Sequence, residues 1–223
     1  MIAFIFLLLA LILARSDQGI IPAIATNLKE QFKMNSFEVG SLGSATYLGA
    51  TVGCLAAIPL LDYVPTKWAL LSCLVAEAIS FLVFTLVDDF YHMSIARFFA
   101  GASQVILAIF LPVWVDAFAP KKFKTLWMTI SISATGVGTL VGYGLAAAAV
   151  TVSDSWHWAF YIMMTAMIIP IVYLIMADPE IIDVKEHLRV KQEQEIPEVV
   201  TGHVNETGDL TATIDAMHNN PEA

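Results

Sequence analysis

Long apolar stretches alternate with short polar breaks along the first 177 residues. Six such stretches run over 2 to 27, 38 to 61, 66 to 87, 93 to 118, 125 to 149 and 157 to 177. A bilayer core about 30 Å thick needs about 20 apolar residues per helix, and each stretch supplies that length. Lipid leaves backbone N–H and C=O groups no partner but each other, so the pattern predicts an all-α membrane protein of six transmembrane helices. The breaks, Leu28 to Phe37, Asp62 to Pro65, Asp88 to His92, Ala119 to Lys124 and Val150 to Trp156, are short enough for neighbouring spans to run antiparallel. Met1 to Ala14 has a second reading as the apolar core of a signal peptide. No basic residue precedes it, however, and apolar character resumes through Ile20 to Ile24, which favours a retained span.

Composition agrees with the pattern. Soluble domains carry about a quarter charged residues. Here 14% are charged and 58% apolar, which points to lipid as the solvent. The formal charge of −9 is concentrated after residue 177, where 11 acids face 3 bases; the first 177 residues hold 9 acids and 8 bases. Two domains follow, a six-helix body over 1-177 and an acidic tail over 178-223, expected to be disordered and cytoplasmic apart from a possible short helix near Ile181 to Gln194. No basic stripe is available for nucleic acid. The two cysteines, Cys54 and Cys73, lie inside apolar stretches and read as packing residues, and neither metal ligands nor a cofactor fingerprint can be read from the spacing. No nucleophile with its base is recognisable, so the reading is not an enzyme. Loop bases set the orientation. Lys67, Lys121, Lys122, Lys124, Lys185, Arg189 and Lys191 fall on one side against Lys29 and Lys33 on the other, which places both termini in the cytoplasm. The sequon at Asn205 is then not expected to carry a glycan.

Span two laid on span five at an offset of 89 residues gives seven identities in fourteen positions. Ser44, Ala45, Thr46, Gly49, Val52, Gly53 and Ala57 match Ser133, Ala134, Thr135, Gly138, Val141, Gly142 and Ala146. This suggests two three-helix repeats; the alternative is that two small-residue helices look alike by composition. Gly49 and Gly53, like Gly138 and Gly142, are four residues apart and leave grooves for close helix packing.

Asp17, Glu77 and Gln104 each lie ten residues from the outer end of their span, about 15 Å at 1.5 Å per residue, near the bilayer midplane. A carboxylate there costs roughly 2.5–3.5 kcal/mol on insertion scales, so it faces the protein interior or a wet cavity. Asp17 is a candidate proton carrier or a neutral acid at a kink near Pro22, and Glu77 a pathway or packing residue. Arg97, about one turn inside the membrane, is a solute contact or a side chain snorkelling to the interface.

The arrangement resembles the N-terminal six-helix half of a major facilitator superfamily transporter. Leu60, Asp62 and Lys67 are similar to the family's conformational loop between spans two and three, without its glycines and first arginine. Arg97 and Gly101 fit its span-four Arg-x-x-x-Gly. Pro112, Pro120 and Lys124 resemble the spinster-like branch, although Gln104 stands where that branch has a glutamate, and Asp17-Gln18-Gly19 where it has Asp-Arg-Gly. The resemblance implies secondary transport of a small solute through a pathway containing Asp17, Gln18, Glu77, Arg97 and Gln104. It also implies that spans two and five meet a partner: a second copy, a C-terminal half or another membrane subunit. The lost charges keep a second function open, a non-transporting scaffold subunit of a membrane complex or a regulatory partner of a complete transporter.

Overall fold

The computed structural model describes residues 1–184, apart from the side chains of Ile58, Asp62 and Glu180. The possible helix beyond Val184, the acidic tail and Asn205 lie outside the described residues. The first of the chain's two units, Met1–Asp183, is all helical. Its helices are α1 (Ile2–Phe32), α2 (Ser36–Tyr63), α3 (Thr66–Leu86), α4 (Phe90–Phe118), α5 (Lys124–Ser153), α6 (His157–Met176) and a single turn, α7 (Pro179–Ile182). Among the described residues six helices are long and apolar enough to cross a membrane.

Several helices outrun their apolar stretches. α1 continues five residues past residue 27 and ends at Lys33, whose φ of 53° is left-handed. α2 starts at Ser36 because Asn35 accepts a bond from the Glu38 N–H while the Glu38 carboxylate accepts one from the Asn35 N–H, each at 2.8 Å. Such a reciprocal cap satisfies two otherwise orphaned donors. What reads as a ten-residue polar connection is therefore a break of three residues, Lys33 to Asn35. α4 likewise begins at Phe90, three residues before the apolar pattern does.

The helices pair across the two repeats. α1 packs most extensively on α5, and α2 on α4, so exchanging the first three helices for the last three maps one interface on the other. Glycine makes both possible. A methyl group at Gly49 would lie 1.9 Å from the Phe98 carbonyl oxygen, and one at Gly142 would lie 1.8 Å from that of Ser16. Gly53 faces Ala102, and Gly138 faces Ile12 and the Cβ of Arg15. Gly101 and Gly19 answer from the other side, against the main chain of Thr46 and Thr139. This corrects the expectation that a partner fills the grooves at Gly49, Gly53, Gly138 and Gly142: they are filled by α4 and α1 of the same chain. The reason is geometric, since two stripes of small residues facing each other bring backbones closer than either would against larger side chains.

α3 and α6 close the other side. Phe81, Phe84, Trp156 and Phe160 form a cluster of edge-to-face and tilted rings with centroids 5.1–5.9 Å apart. Of the cysteines, Cys73 is buried but Cys54 is exposed on α2, so a packing role fits Cys73 alone.

Candidate functional site

The polar residues of the spans converge where α1, α3 and α4 approach one another. The Arg97 guanidinium donates to the Asp17 carboxylate, with side chains 3% and 0% exposed. Arg97 therefore does not snorkel. α4 starts early, so Arg97 sits two turns inside the helix, and its head turns inward to Asp17 and lies 5.7 Å from the centre of the Phe84 ring. A cation facing an aromatic ring gains further electrostatic attraction. One residue along α1, Gln18 Nε2 donates to Gln104 Oε1 at 3.1 Å. Both of these side-chain links join the first repeat to the second.

Glu77 enters from α3, 1% exposed, within electrostatic reach of Asp17, Arg15 and Arg97. Asp17, Gln18, Glu77, Arg97 and Gln104 accordingly share one region. Asp62 does not: it lies in the last turn of α2, and its side chain is outside the described residues. Lys67, at the start of α3, is also separate. Its ammonium donates to the carbonyls of Ile175 and Ala177 at 2.9 and 2.7 Å, satisfying acceptors that the end of α6 leaves open. Thr66 donates to Asp183, and Trp114 Nε1 to the Ile181 carbonyl, so the segment after α6 is tied to α3 and α4.

Arg15 carries no motif and escaped the sequence reading. A base two residues before Asp17, mid-span, was the available signal. It is half-buried, with its Cβ against Gly138, and lies within electrostatic reach of Glu77.

Buried polar atoms normally have hydrogen-bond partners, so each one lacking a partner calls for a physical reason. Among the described residues, Arg15 Nε, Asp17 Oδ2, Thr46 Oγ1, Glu77 Oε1, Arg97 Nε and Gln104 Nε2 have no hydrogen-bond partner. Beside them opens a cavity of about 330 Å³, lined by Gln18, Ile21, Pro22, Val39, Thr46, Tyr47 and Arg97 among others. Its walls are mainly apolar, with a few polar side chains, Gln18, Thr46, Tyr47 and Arg97, among them, the usual constitution of a small-molecule pocket. A second cavity of about 490 Å³ lies at the other end of α1, lined by Glu30, Gln31, Asp154 and His157 among others.

Six packed helices with a buried charge pair and a cavity between them have the form of a membrane transport domain. The Major Facilitator Superfamily model matches residues 6–206, and the chain belongs to that superfamily. It is 22% identical over 156 residues to a gentisate transporter of Corynebacterium glutamicum, covering 70% of this chain and 35% of that protein. It is 24% identical over 174 residues to a cis,cis-muconate transport protein of Acinetobacter baylyi, covering 76% and 41%. The structure of the proton:xylose symporter XylE superposes with a TM-score of 0.68 at 15% identity, over 97% of this chain and 53% of that one. The chain thus spans less than half the length of these curated relatives and about half of the solved structure. The family is one of transporters, not enzymes.

Proposed function

We propose that the chain forms the N-terminal half of a secondary transporter for a small solute, working by alternating access with both termini cytoplasmic. The observation that supports this is the Asp17–Arg97 pair, which joins the two repeats beside a cavity large enough for a small molecule. Transporter sites of this type lie at the midplane between repeats. The relatives named for gentisate and cis,cis-muconate indicate the size of the solute.

In this reading Gln18, Thr46, Tyr47 and Arg97 contact the solute, and Asp17 carries a proton. Protonation of Asp17 frees Arg97, and Arg97 then serves the solute or a re-formed pair, so occupancy and proton state are linked through one bond. The complementary half, whether a second copy, a separate C-terminal half or another subunit, covers the exposed aromatic and aliphatic side of α2 and α5, which includes Tyr47, Leu55, Leu140 and Tyr143.

The test is uptake into vesicles holding the protein in its native assembly. Asp17→Asn removes the titratable group while keeping its shape. Substrate-specific uptake that loses its pH dependence in the variant supports the reading. Uptake with unchanged pH dependence removes Asp17 from the proton path, and a well-folded assembly that moves no solute turns the reading to the scaffold or regulatory alternative.

A further inference from the structure

Glycine weakens a helix, so one inside a span needs a reason: a left-handed backbone, a close neighbour, or room beside it. Among the described residues no glycine has a left-handed backbone, which removes the first. Gly19, Gly49, Gly53, Gly101, Gly138 and Gly142 have the second, for an added methyl would lie 1.8–2.6 Å from an atom of another helix. Gly40, Gly43, Gly136 and Gly144 have neither, with nothing within 4 Å of the methyl. Of these four, Gly40 and Gly43 line the 330 Å³ cavity. The internal repeat separates the two kinds. At the offset of 89 residues Gly49 and Gly53 fall on Gly138 and Gly142, whereas Gly40 and Gly43 fall on Thr129 and Ile132. Glycine thus recurs where backbones touch, but at the two cavity positions only α2 has it.

Place along the helices says what the room serves. From the break at Lys33 to Asn35 inward, α2 lines the cavity with Val39, Gly40, Gly43, Thr46 and Tyr47, which share one face at helical spacing. Across from it α1 supplies Ala25, Pro22, Ile21 and Gln18 in the same order. Arg97, bonded to Asp17, lies at the inner end of both series. Gly43 sits about one turn from each of the buried Val39 and Thr46, so a side chain there enters the cavity. Resting on the transporter reading above, we infer that Gly40 and Gly43 are specificity-determining positions. Their missing side chains keep open the passage from the outer mouth to Thr46 and Arg97 and set the size of the largest solute that reaches them. The other service glycine can give α2 is flexibility, and the two roles differ in what they do to probes of different size.

The experiment uses the protein in its native assembly in nanodiscs, with Thr46→Cys as the reporter thiol. Cys54, which is exposed, is replaced by Ser, and the buried Cys73 is kept. The probes are an ethylammonium methanethiosulfonate and its bulkier trimethylammonium counterpart, equal in charge so that Arg97 acts on both alike. Labelling is followed by the mass of the intact chain. Gly43→Leu slows the bulkier reagent about ten- to hundredfold, the kinetic equivalent of overfilling a packed site, and the smaller one less. Gly43→Ala falls between Gly43→Leu and the unaltered glycine, and Gly40→Leu acts in the same direction. Thermal stability holds or rises in Gly43→Ala, because the methyl strikes nothing and alanine favours the helix. Equal slowing of both reagents, or a loss in Gly43→Ala as large as in Gly43→Leu, assigns the glycines to flexibility and overturns the inference. So does labelling that ignores all three substitutions. Should Gly43→Leu not fold, Gly43→Ala and Gly40→Leu decide. Labelling reports access whether or not solute moves. A transporting assembly whose labelling ignores Gly40 and Gly43 refutes this inference alone, whereas size-graded labelling in an assembly that moves no solute refutes the transporter reading and, with it, the selection of a solute.

Discussion

At the interface of α2 with α4, Gly49 and Gly53 rest against Phe98 and Ala102; at that of α5 with α1, Gly138 and Gly142 rest against Ile12 and Ser16. The backbones approach equally closely in both. The side chains beside them differ. α1 carries Arg15, Asp17 and Gln18 within one turn, whereas α4 spreads Arg97 and Gln104 over two. Packing is the property the repeats share, and charge is where they diverge. The small residues therefore specify the fold, and the ionic ones are the place to look for what the fold is used for.

The strongest way to break the comparison is to fill its glycines. Gly49→Leu and Gly142→Leu force a side chain into main-chain atoms that cannot yield as a flexible side chain would. Overpacking costs about 1–3 kcal/mol in ordinary cores and more against backbone. Both variants are expected to lose folded protein, measured as thermal stability in mild detergent. Gly136→Ala and Gly144→Ala, with no atom within 4 Å of the added methyl, sharpen the contrast: stability is expected to hold or rise by up to ~1 kcal/mol through helix propensity.

Next in size is the charge pair. Arg97→Gln leaves Asp17 buried and uncompensated, an effect of about 3–5 kcal/mol. Asp17→Asn in the Arg97→Gln background removes the stranded charge and is expected to recover much of the loss. A double-mutant cycle by thermal unfolding checks this, and purely additive losses would show that the pair is not coupled.

Lys67→Met deletes the bonds to Ile175 and Ala177 while keeping the aliphatic stem. A loss of about 1 kcal/mol is expected, visible as faster amide exchange at the end of α6.

The smallest effect belongs to the exposed start of α4, where His92 Nδ1 lies 2.8 Å from the Asp89 carboxylate and holds that acid below its usual range. A depressed acid contributes stability above its unfolded value, and the contribution is lost as pH falls through the folded one. His92→Ala is expected to move the Asp89 titration upward, followed by carboxyl NMR, with little change in overall stability.

Much of this architecture was legible in the chain. Six apolar stretches give six helices because a membrane span admits few alternatives. The Gly49 and Gly138 stripes could be read as packing surfaces, but not their occupants, since spacing shows that a helix is smooth and not which helix lies against it. Helix ends were less legible where polar residues continue the hydrogen-bond ladder past the apolar stretch. The Asn35 and Glu38 cap was the missed signal at α2, and the early start of α4 is why Arg97 sits deeper than its span suggested. Trp114, near the end of span four, is 2% exposed, its ring against Phe118 and its N–H donated to the Ile181 carbonyl, a link that no spacing in the chain announces. Arg15 fits no motif, although a lone mid-span base is informative by cost alone.

The grip of Lys67 on α6 bears on how force would travel through the domain. Ile175 lies 108 residues from Lys67 along the chain, yet the two are joined by a single hydrogen bond, reinforced one turn on by the links of Thr66 and Trp114. Tension applied to the strand leaving α6 is therefore delivered to the root of α3 and the end of α4 as well as along the axis of α6. Three helices share the load, so a tug from whatever follows tilts them together instead of peeling one away.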